Sequence, residues 1–159
     1  MKTITRITPL LLLSGGCNDV EDDHGHSHDP NEVITTVVLS FTPDAGGSEL
    51  SFTWADPEND GDHVIDSIVL PSGGYTLDVS FLNELEEPAE DITAEVEDES
   101  DAHQVFFTGS GVEGPATGTN AAAVITQAYG DADANGDPIG LTNDVDTVAA
   151  GTGELIVTL

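Results

Sequence analysis

From Val33 onward this chain alternates apolar and polar residues in short runs, the pattern of strands with one face buried and one face wet. VITTVVLSFT puts Val33, Thr35, Val37, Leu39 and Phe41 on one side, and ELSFTWA sets Leu50, Phe52 and Trp54 against Ser51, Thr53 and Ala55. Tyr75, Leu77, Val79 and Phe81 alternate against Thr76, Asp78 and Ser80. Further strands are expected at Val64 to Leu70, Gln104 to Thr108, Ala122 to Tyr129 and over the closing ELIVTL, with a weaker one near Asp144–Ala149. Between them stand turn-forming runs: PDAGGS, DPENDGD, PSGG, GSGVEGPATGTN and GDADANGDPIG.

One segment departs from the pattern. EPAEDITAEVEDESDAH has Pro88 and acidic residues early, both favourable at a helix N-terminus, and Ile92 and Val96 lie four apart as a narrow apolar stripe. Acidic residues at 97, 98, 99 and 101 oppose the dipole at the other end, so the helix should be short. Short strands with turn signals roughly every 8–12 residues predict a mainly β fold, an antiparallel β-sandwich of immunoglobulin-like architecture with one short helix. A partly closed barrel is the alternative. Parallel α/β architecture is disfavoured because helices do not separate the strands.

Ahead of this domain both basic residues of the chain, Lys2 and Arg6, precede an apolar stretch, Ile7 to Leu13. Ser14, Gly15 and Gly16 follow, then Cys17, the single cysteine. A positive flank, a short apolar run and small residues before Cys have the build of a lipoprotein export signal. The expected organisation is a signal peptide over 1–16, a lipidated Cys17 opening a disordered His/Asp-rich tether over 17–32, and a β domain over 33–159. Alternation is still running at Leu159, so that end is expected either to tuck against the body or to lack a following strand. Removing 1–16 takes the formal charge from −29 to −31 as the two cations leave.

That charge restricts partners and chemistry. Nucleic-acid binding needs Lys and Arg to neutralise phosphates, and the body has neither. Anionic headgroups would repel it, so membrane association must come through the lipid anchor. Self-repulsion predicts a domain stabilised by salt, and more so by divalent cations. After Arg6 there is no lysine for a Schiff base and no arginine to clamp a phosphate, and after Cys17 there is no thiol. His63 and His103 stand alone in sequence, GSG at 109–111 lacks the nucleophile-elbow pattern, and Glu84, Glu86, Glu87 and Glu90 read as a solvated face. No catalytic residue is assigned, and a non-enzymatic module is expected in preference to a β-sandwich hydrolase.

Three clusters carry metal-ligand chemistry. Asp131, Asp133, Asn135 and Asp137 in DADANGD match the opening of a calcium loop, in which alternate oxygens converge and Gly136 permits the turn. Thr142 stands where a bidentate Glu would close such a loop, and a polar hairpin turn uses the same residue types. Asp56, Glu58, Asp60 and Asp62 in DPENDGD repeat the spacing. His24, His26 and His28 in HGHSH are imidazoles at alternate tether positions, suited to Zn²⁺, Cu²⁺ or Ni²⁺, and equally a hydrophilic spacer. Of these ions Ca²⁺ is the cofactor favoured, with Zn²⁺ on the histidines as the alternative.

The stretches CND, DDHGHSH, NEVITTVVLSFTP, FTWADPENDGD, NELEEPAEDITAEVEDESDAHQVFF and GTGELIVTL resemble those of a group of uncharacterised acidic bacterial lipoproteins, over most of the mature chain. Some similar sequences carry the label type 1 periplasmic binding fold, from which this short, β-patterned chain departs. The resemblance implies an envelope location and a domain that continues past the final strand with an acidic loop and another strand. It implies no catalytic residues.

Overall fold

The computed structural model describes the backbone of residues 2–7 and the whole of residues 33–159. In chain order the elements are β1 (Lys2–Ile7), β2 (Thr36–Pro43), β3 (Leu50–Ala55), β4 (Val64–Ile65), β5 (Ser67–Pro71), β6 (Gly74–Asn83), β7 (Glu90–Asp91), α1 (Ile92–Asp98), β8 (Phe106–Thr108), β9 (Val112–Glu113), β10 (Ile125–Tyr129), β11 (Thr142–Thr147) and β12 (Thr152–Thr158). The fold is mainly β with one short helix, as the alternation predicts.

A large sheet runs in the order β4-β3-β2-β6-β11-β10-β9, with β7 added beside β6. Its centre is the longest alternating run: Tyr75, Leu77, Val79 and Phe81 of β6 are all buried, as are Leu39 and Phe41 of the neighbouring β2. Phe41 meets Phe52 and Tyr75 edge to face, with ring centroids 6.0 and 6.1 Å apart. This geometry suits the ring quadrupoles and adds to area burial. Burial also pushes the Tyr75 phenol above its ordinary pKa, and its hydroxyl donates to the Pro71 carbonyl at 2.7 Å. The second sheet is small and runs β5-β1-β12-β8. Ile68 and Leu70 from β5 and Leu155 and Val157 from β12 join the same core cluster as the large sheet's inner face.

Four expectations are corrected. Not every pairing is antiparallel: β9 runs parallel to β10, and β1 parallel to β12. Residues 114–124 form a return long enough to reverse direction twice, which a tight hairpin cannot do. Val64 to Leu70 is not one strand. The chain bends at Asp66, so β4 pairs with β3 in the large sheet while β5 belongs to the small one. The Asp66 carboxylate fixes that corner by accepting from the Thr53 amide (2.9 Å) and hydroxyl (3.0 Å). A bend that moves a strand between sheets is a recognised way to make such a corner. Third, the strand expected from Ala122 begins at Ile125, since Asn120 takes the preceding residues into a turn by accepting from Ala122 N.

Fourth, the helix starts at Ile92 rather than near Pro88. Glu90 and Asp91 first pair with Asn83 and Leu82 of β6, and the Asp91 side chain then caps the helix by accepting from Thr93 N at 3.1 Å. Ile92 and Val96 are both buried, as their spacing predicts. Among the described residues no helix is long and apolar enough to cross a membrane.

Candidate functional site

The DADANGD loop joins β10 to β11, and its carboxylates are engaged by the loop's own backbone. Asp131 bridges the base of the loop, accepting from Gly140 N at 2.7 Å through one oxygen and from Thr142 N at 2.8 Å through the other. Asp133 accepts from Asp137 N at 2.7 Å and Asn135 N at 2.9 Å, and its second oxygen takes the Asn135 amide group at 3.0 Å. Gly136 supplies the left-handed residue, at φ 93°. These donors, the Asp137 N–H foremost, hold the Asp133 carboxyl below the usual carboxylate range. Hydrogen bonding to the ionised form is the cause. Asp137 itself is exposed.

The second loop is built the same way. Asp56 is buried at 6% exposure and accepts from Asp60 N (3.1 Å) and Gly61 N (2.9 Å), while Asp60 accepts from Asp62 N. Asn59 at φ 49° and Gly61 at φ 92° take the left-handed turns. Glu58 is exposed. His63, next along the chain, lies 5.9 Å from the Trp54 ring and closes the loop onto β3. Among the described residues no three His, Cys, Asp or Glu side chains are grouped as a metal centre. Asp131, Asp133 and Asn135 are therefore brought into one loop, and Asp56, Asp60 and Asp62 into another, each organised around backbone donors. Cys17, His24, His26 and His28, with the tether, lie outside the described residues.

The alternation does not announce two further features. A groove of about 500 Å³ is lined by Asp101, His103, Gln104, Phe106, Asp133, Asn135, Asp137 and Leu159 among others. Phe106 is 41% exposed on its wall, and His103 sits 3.5 Å from Glu99 at the end of α1. The groove is where the segment after α1 (100–106), the DADANGD loop and Leu159 meet, three segments remote in sequence. Beneath β10 and β11 a buried amide pair crosses the strands. Gln127 donates to Asn143 at 2.8 Å, and Asn143 donates to the Gly140 carbonyl at 2.8 Å. The Gln127 Oε1 has no partner among the described residues. In the strand pattern Gln127 and Asn143 are simply in phase with Ile125 and Val145, so their only mark is a polar residue on an inward position.

The chain matches no family model, no curated protein and no solved structure in the comparisons made.

Proposed function

We propose that this chain is a lipid-anchored protein of the bacterial cell envelope. Its acidic β domain works outside the cytoplasm as a non-enzymatic binding or structural module. The observation that carries this reading is the placement of Cys17. Both basic residues lie ahead of it, an apolar run and three small residues lead into it, and 31 acidic side chains with no Lys or Arg make up the rest. Resemblance to the acidic lipoproteins supports the same assignment. We read the two sheets as layers of an immunoglobulin-like sandwich, supported by the inward alternation of both.

A non-enzymatic role is supported by the missing lysine, arginine and thiol in the body, and by the use of the loop carboxylates as turn-forming acceptors. Calcium at Asp131, Asp133, Asn135 and Asp137, with Asp56, Glu58, Asp60 and Asp62 as a weaker second loop, is a subsidiary proposal. Zn²⁺ at His24, His26 and His28 is another. Calorimetric titration of each ion, with and without residues 18–32, tests both, and absence of heat ends them.

Intact-mass analysis and labelled palmitate incorporation test the main assignment. The native protein should lack residues 1–16 and carry acyl chains on Cys17, and Cys17→Ser should abolish labelling. A native chain that keeps Met1 and carries no fatty acid would overturn it.

A further inference from the structure

The small sheet holds the leader's own strand at its centre. β1 pairs with β5 on one side, Lys2↔Pro71 through Arg6↔Ser67, and with β12 on the other, Ile4↔Thr152 through Ile7↔Leu155. In the sheet order β5 has β1 as its one neighbour, and β1 alone separates β5 from β12. The walls of this position are hydrophobic: Ile68 and Leu70 of β5 and Leu155 of β12 are each at most 1% exposed, and Val157 is 8% exposed. The register opposes Thr3 to Leu70 and Thr5 to Ile68, so the occupant carries threonine in register with two buried residues of β5. It also carries the chain's two cations, and Arg6 stands in register with Glu154 of an otherwise anionic body.

We infer that removal of residues 1–16 opens a slot one strand wide between β5 and β12, and that the slot accepts an extended, cationic strand of a partner protein running parallel to β12. The inference rests on the proposed processing at Cys17. Once β1 has left, two strands present unpaired N–H and C=O groups to each other across a strand's width, and buried backbone groups demand partners. Strand addition satisfies these groups by main-chain bonds, while alternate side chains filling the apolar wall give selectivity. Charge decides the class of partner. A net −31 surface favours a strand bearing Lys or Arg, as β1 does at Lys2 and Arg6, in register with Pro71 and Ser67. Apolar residues at the register positions opposite Leu70 and Ile68 suit this wall.

The test uses the native processed protein in detergent and the Cys17→Ser precursor, with acetylated peptide KTITRI as probe. Intact mass is recorded first. Retention of Met1 on the native protein would show that the export reading has failed, and would remove the slot with it. With the leader gone, backbone hydrogen exchange over Ser67–Pro71 and Thr152–Thr158 should be fast in the processed chain and slow in the precursor. KTITRI should slow it at 1:1 stoichiometry. Thr3→Val and Thr5→Val in the peptide should tighten binding about tenfold. Lys2→Glu and Arg6→Glu should weaken it about tenfold at low salt. A processed chain with these amides already slow, whether as a closed monomer or as a dimer of copies, would overturn the slot. Equal binding of the acidic peptide would overturn the cationic partner.

Discussion

The two sheets reach their order by different routes. In the large sheet β2 pairs with β6 along its whole length, Thr36 to Pro43, and with β3 from Thr36 to Phe41, while β6 pairs on its other side with the distant β11, so that every strand of this sheet comes from the β domain itself. In the small sheet β5, β1, β12 and β8 come from both ends and the middle of the chain, and β8 is three residues long. The large sheet owes its stability to local alternation that buries a continuous face. The small sheet depends on which strand stands between β5 and β12. In strand pairing one region is self-sufficient and the other conditional, which is why the proposed strand addition falls on the small sheet.

The largest expected effect lies in the self-sufficient region. Phe41 is fully buried between Phe52 and Tyr75. Phe41→Ala should cost about 3–5 kcal/mol by the usual sum of transfer and cavity terms. Urea unfolding of the full chain and of the chain without residues 1–16 should show the same loss in both, because β2 makes no pairing with β1. Unequal losses would mean that the large sheet also depends on β1.

Gly109→Ala probes the conditional region. Gly109 has φ +114°, where L side chains are strained, and an added Cβ would collide with the Glu154 carbonyl oxygen, a backbone atom. The strain alone is about 1–3 kcal/mol. Hydrogen exchange should accelerate over β8 and β12 while β6 keeps its protection. Equal acceleration in β6 would erase the distinction between the regions.

What the sequence discloses follows the same division. Leu39 and Phe41, and Tyr75, Leu77, Val79 and Phe81 of β6, are inward as their alternation demands, because a half-buried strand writes its environment into its own residues. The stripe of Ile92 and Val96 likewise predicts the buried face of α1. Partnership is not written that way. Nothing in Val64 to Leu70 separates β4 from β5 except Asp66, whose role depends on Thr53 thirteen residues earlier. Neither the parallel pairing of β1 with β12 nor the groove at His103, Phe106 and Leu159 has a local signature, since each joins segments far apart. DADANGD was legible as a turn around Asp and Gly. Its spacing alone could not tell whether the oxygens face an ion or the loop's own N–H groups, because both uses need the same residues.

A smaller effect comes from the helix that docks against the large sheet. Asp91 caps α1 through Thr93 N, and Thr93 in turn donates to the Phe81 carbonyl at 3.3 Å and accepts from Phe81 N at 2.9 Å. Asp91→Ala should cost about 1 kcal/mol, the usual value of a cap. Asp91→Asn, which keeps the acceptor, should recover most of it. Thermal melts of the three proteins give the comparison. A loss well above 1 kcal/mol would show that the cap also anchors the edge of β6, making the large sheet less independent than its pairing implies.

The smallest effect separates both sheets from the loop that joins β10 to β11. Asp133 is held below the ordinary carboxylate range first by the Asp137 N–H, then by the Asn135 amide groups and Gly136 N–H. Its folded pKa is therefore lower than its unfolded one, near 3.9. The contribution to stability is present above that unfolded value and is lost as pH falls through the folded one. The side chain meets solvent, so the signature should be sought in the residue itself. Carboxyl-carbon NMR titration should show Asp133 ionising at a lower pH than in the unfolded chain. Asn135→Ala should move the midpoint only slightly upward, because the two backbone donors at 135 and 137 remain. Added Ca²⁺ provides the contrast: an ion seated on Asp133 would shift the carboxyl resonance at neutral pH, whereas a loop closed on its own backbone alone leaves it in place. Titration of Asp133 at the ordinary value would show that these hydrogen bonds do not order the loop.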